Sequence, residues 1–141
     1  MADQTKPWLA HYDQGIPKNL TYPNISLVDL FRSQVEARGR EPLILWESQQ
    51  YSYRQVEMLT NKLRDGLLAI GCLPGDRIGL ILPNIPAFVI SFLAVIKMGG
   101  VVVALNPSYQ EREFEFHLKD AGITTVIYTD NRYNMIDLWI I

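Results

Sequence analysis

Cysteine is nearly absent: Cys72 stands alone among 141 residues, so no internal disulfide can form. That composition suits a reducing compartment, and a cytoplasmic location is the expectation. Histidine is almost as scarce. His11 and His117 are too few and too far apart in sequence for a metal site, and none is expected. There is no basic run and the formal net charge is -2, which removes the electrostatic footprint of a nucleic-acid binder. The opening Met1-Ala2-Asp3-Gln4-Thr5-Lys6-Pro7 is polar and lacks the apolar core of a secretory signal. The sequons at Asn19 and Asn24 are accordingly read as chance. No Gly-x-Gly-x-x-Gly and no Walker-type loop occurs, so no phosphate cradle of either kind is written here. No internal repeat, low-complexity tract or dividing linker is visible.

What is present is apolar. Hydrophobic residues make up 48% of the chain and charged residues 20%, the balance of a globular domain with a core. The longest apolar stretch, Ile85 to Val103, has the length of a membrane span and carries one charge, Lys97. Gly99-Gly100 interrupts it, and the β-branched run Val101-Val102-Val103 follows. That change of pattern predicts a buried helix followed by a buried strand, with no transmembrane span.

Residues 1–25 show no period. Pro7, Pro17 and Pro23 alternate with Trp8, Tyr12 and Tyr22, as in an extended arm laid on an apolar surface, or in an ordinary frayed terminus. These aromatics read as packing rather than recognition, although such an arm could cross to a second subunit and support a homo-oligomer. From residue 26 the patterns are regular. Ser26 and Asp29 open a helix with the stripe Leu27, Leu30, Phe31 and Val35, and Gly39 ends it. Leu43 to Trp46 and Gln50 to Tyr53, separated by Glu47-Ser48-Gln49, suit a hairpin. Ser52 and Gln55 form a capping box ahead of Val56, Leu59, Leu63, Leu67 and Ile70 at helical spacing, with Gly71 as the stop. Pro74-Gly75-Asp76 is a turn into Arg77 to Leu82, an apolar run of the kind covered on both faces. Asn84 is placed to cap the next helix, with Pro86 in its first turn. Val101 to Leu105 is the following strand. Ser108 and Glu111 are placed to cap a helix bearing Phe114, Leu118 and Ala121, which Gly122 stops before the strand Thr124 to Tyr128. The order predicts an α/β domain of βαβαβ parallel-strand units, preceded by a helix and a short hairpin, with its last strand at an open sheet edge.

Against this frame the reactive residues read mostly as structure. Cys72 and His117 have nothing that places them together as nucleophile and base. Asp76-Arg77 reads as a solvated corner. Lys97, near a helix end, complements the helix dipole. Asn106 and Pro107 are different. They begin a loop at the carboxyl end of a parallel strand, where open α/β sheets bind ligands, and they are the candidate pocket-lining residues, with turn and helix entry as the alternative role. No catalytic, cofactor-binding or metal-binding residue is identified.

The segment Ser26 to Ile127 resembles the amino-terminal region of AMP-forming acyl-CoA synthetases. Tyr51-Ser52-Tyr53-Arg54-Gln55-Val56 is similar to the first core motif of that superfamily. Pro74-Gly75-Asp76-Arg77-Ile78 is similar to its turn into the next strand. Pro83-Asn84 followed by Phe88 also fits. Ile96-Lys97-Met98-Gly99-Gly100 through Asn106-Pro107 is similar to the second core motif. Lys6-Pro7-Trp8-Leu9, His11-Tyr12 and Ile16-Pro17 resemble the long-chain fatty-acid members. The resemblance implies a fold, a partial adenylate-forming amino-terminal domain over residues 26–129, and an activity of the complete enzyme. That activity is ATP-dependent conversion of a fatty acid to an acyl-adenylate and then to acyl-CoA, using ATP, Mg²⁺ and coenzyme A. The family's phosphate-binding loop, its metal-binding Glu and its catalytic Lys lie beyond the matching region. The resemblance therefore implies a fragment that binds none of these cofactors and is inactive alone. A stand-alone α/β module that binds acyl chains or proteins is the alternative. Peripheral membrane association stays open. Residues 130–141 depart from the family pattern and are read as an atypical tail.

Overall fold

The computed structural model describes residues 6–130 and 135–140, with side chains described for residues 6–129. A 3₁₀ turn at Pro7–His11 is followed by irregular chain, and Trp8, Leu20 and Tyr22 stay largely exposed.

Helix α1 spans Leu27–Arg38, and Ser26 Oγ accepts the Asp29 N–H at 3.0 Å. The hairpin is β1 (Pro42–Trp46) and β2 (Gln49–Ser52), antiparallel with Trp46 opposite Gln49. Its turn is Glu47-Ser48, one residue shorter than the spacing predicts, and Glu47 takes a left-handed φ of 51° to close it. Helix α2 (Tyr53–Ala69) opens with both halves of the capping box between Ser52 and Gln55.

The central sheet contains β3 (Arg77–Ile81), β4 (Val101–Ala104), β5 (Thr125–Asp130) and β6 (Met135–Ile140), in the order β4-β3-β5-β6. β3 pairs in parallel with β4 and β5, and β6 runs antiparallel to β5. This corrects one expectation: β5 is not an edge, because Thr125 to Asp130 pair with Ile140 to Met135. Among the described strands, β4 stands at the other end of the sheet.

Helix α3 (Pro86–Met98) joins β3 to β4, and α4 (Glu111–Ala121) joins β4 to β5. Alternation along β3 divides two cores. Ile78, Leu80 and Leu82 pack with Leu67 of α2, Val95 and Met98 of α3, and Ile127 of β5. On the opposite face Ile81, Val103, Leu105 and Val126 pack with Phe114 and Leu118 of α4. Gly79 lies on that second face. A side chain there would meet Ile123 and Val126 at 3.3 and 3.4 Å, so the glycine lets α4's segment approach the sheet. Two cap assignments also change. Ile85, not Asn84, is the N-cap of α3, and its side chain makes no capping bond. Gln110, not Ser108, precedes α4, and the Glu113 carboxylate accepts the Gln110 N–H at 2.8 Å. Lys97 does occupy the last turn of α3, and it also pairs with Glu57 of α2 at 3.5 Å.

Between α2 and α3 a polar seam interrupts the core. Thr60 and Ser91 are fully buried, and neither hydroxyl has a hydrogen-bond partner among the described residues. A buried hydroxyl without a partner forfeits its hydration, whereas an apolar isostere does not. Thr60→Val and Ser91→Ala are therefore expected to leave stability unchanged or raise it by up to about 1 kcal/mol each in urea unfolding. A loss beyond about 1 kcal/mol would mean that the hydroxyls are bonded in solution.

Candidate functional site

The two faces of the sheet decide where a crevice forms. β3 sends the chain through Leu82-Pro83-Asn84 into α3 on one face, and β4 sends it through Leu105-Asn106-Pro107 into α4 on the other. Adjacent parallel strands whose loops diverge to opposite faces leave a gap at their carboxyl ends. The gap is present here. It measures about 620 Å³ and is lined by Pro83, Asn84 and Phe88 on one side and by Asn106, Pro107, Ser108 and Tyr109 on the other. Both pocket-lining candidates from the sequence thus stand on its wall.

Asn106 holds that wall in shape. Its side-chain oxygen accepts the Ser108 N–H at 2.9 Å, and its backbone carbonyl accepts the Tyr109 N–H at 3.1 Å. An Asx turn of this kind folds the chain over Pro107 without help from a helix cap. Tyr109 is the residue that sequence reasoning missed. Its ring stacks on His117 with centroids 5.0 Å apart and meets the edge of Phe114 at 5.9 Å. Its position directly after Asn106-Pro107-Ser108 was the only available signal.

Tyr109 and Pro107 also border a second, more apolar cleft of about 740 Å³ between α4 and the sheet, floored by Ile81, Val126 and Tyr128. Glu111 and Glu115 stand at this cleft. The hydrogen bond and charge of Lys119 hold the Glu115 carboxyl below its usual range, so Glu115 stays ionised to lower pH than a free side chain.

The chemistry available is limited. Among the described residues no cation lines either cleft, and the first has no charged side chain. Among the described residues no three His, Cys, Asp or Glu side chains converge on a possible metal position. Cys72 is buried with its Sγ 3.6 Å from Thr125 Oγ1, while His117 is engaged with Tyr109, so the two are not brought together. Asp76 accepts the Leu73 N–H at 2.7 Å and serves its turn. No described helix is long and apolar enough to cross a membrane.

Comparison with known proteins gives a consistent result. The model of the AMP-binding enzyme family matches residues 31–138. The long-chain-fatty-acid–CoA ligase of Bacillus subtilis is 34% identical over 125 residues, which are 89% of this chain and 22% of that protein. The human mitochondrial medium-chain acyl-CoA ligase ACSF2 is 35% identical over 103 residues, 69% of this chain and 17% of that protein. Among solved structures, the N-terminal subdomain of Klebsiella oxytoca NpsA superposes with a TM-score of 0.71 at 23% identity, over 74% of this chain and 27% of that one. The O-succinylbenzoate coenzyme A synthetase of Bacillus subtilis gives 0.69 at 19% identity, over 71% and 22%. These two likenesses concern the fold. The chain spans less than a quarter of the length of the curated relatives it matches. The sequence match and the parallel sheet agree: this chain belongs to the AMP-binding enzyme family and corresponds to an amino-terminal portion of its AMP-forming acyl-CoA synthetases.

Proposed function

We propose that the chain supplies the first part of the large domain of a fatty-acyl-CoA synthetase and performs no chemistry by itself. In the complete reaction a fatty-acid carboxylate attacks the α-phosphate of ATP, releasing pyrophosphate, and the thiol of coenzyme A then displaces AMP. The observation that carries the reading is the 34% identity to a long-chain-fatty-acid–CoA ligase over 89% of the chain. The character of the crevice supports it. Asn106 and Pro107 offer an uncharged wall at the carboxyl ends of two parallel strands, suited to shaping a pocket rather than to holding phosphates or moving protons.

The test is direct. The purified chain, incubated with ATP, Mg²⁺, a long-chain fatty acid and coenzyme A, is expected to yield no acyl-CoA and no fatty-acid-dependent pyrophosphate above blanks. Either product, abolished by changing Asn106 to alanine, would overturn the reading.

A further inference from the structure

We draw no further inference here: the strongest candidate, the apolar cleft between α4 and the central sheet, lies on a chain that spans less than a quarter of the length of its curated relatives, and nothing in the structure shows what covers it.

Discussion

Leu80→Ala is expected to destabilise the domain by about 3 kcal/mol, within the range for deleting a large buried aliphatic side chain. Leu80 is fully buried on the central strand β3, and its neighbours in register are Ala104 of β4 and Ile127 of β5. Its side chain joins the cluster formed by Leu67, Val95 and Ile127, so truncation leaves a space walled by two helices and the sheet. Rigid elements on every side collapse poorly, and the loss therefore exceeds the transfer energy of the missing atoms alone. Leu45→Ala is the control: Leu45 is 70% exposed on the hairpin, and the change is expected to stay within about 0.5 kcal/mol. Urea unfolding followed by circular dichroism checks both. A loss below about 1 kcal/mol for Leu80 would place the core elsewhere.

Gly99→Val is expected to lower stability by about 2–3 kcal/mol, through two separable effects. Gly99 ends α3 with φ 88°, a left-handed conformation that a β-branched residue adopts at a penalty of about 1–2 kcal/mol. A side chain there would also meet Pro74 Cβ at 3.3 Å. That contact matters because the Gly99 carbonyl accepts the Gly75 N–H at 2.9 Å, which ties the turn before β3 to the start of β4. Gly122→Val separates the two effects. Gly122 also stops a helix with positive φ, 61°, but nothing lies within 4 Å of the side-chain position. Its valine variant is expected to lose only the backbone part, about 1–2 kcal/mol. Equal losses at the two positions would show that the Pro74 contact contributes nothing.

The local features of this fold were legible in the sequence because short-range chemistry governs them. The capping box at Ser52 and Gln55 and the glycine stops at Gly99 and Gly122 depend on residues a few positions apart. The caps at Asn84 and Ser108 were misplaced because entry into α3 and α4 is set by where the sheet releases the chain. β3 ends at Ile81, and three residues intervene before Ile85, the N-cap, leads into the helix at Pro86. At Ser108 the Asx turn of Asn106 claims the backbone amide and carries the chain on to Gln110. Strand order is not written in periodicity at all. The apolar runs of β3, β4 and β5 are interchangeable in pattern, and only packing puts β3 in the centre. β6 is not legible in the pattern of Met135–Ile140, because its pairing along the whole of β5 is a long-range contact. The crevice was partly foreseen, since ligand gaps follow strand ends. Asn106 and Pro107 came from that rule, but Tyr109 did not, because its orientation rests on a stack with His117 formed only after α4 docks.

On the proposed function, this chain does the structural work of an amino-terminal synthetase segment. The most direct measurement exchanges the matching segment of the Bacillus subtilis long-chain-fatty-acid–CoA ligase for this chain's aligned residues, and follows fatty-acid-dependent pyrophosphate release and acyl-CoA formation. A folded chimera that retains both activities is the expected result. A folded, monodisperse chimera that forms neither acyl-adenylate nor acyl-CoA would contradict the claim.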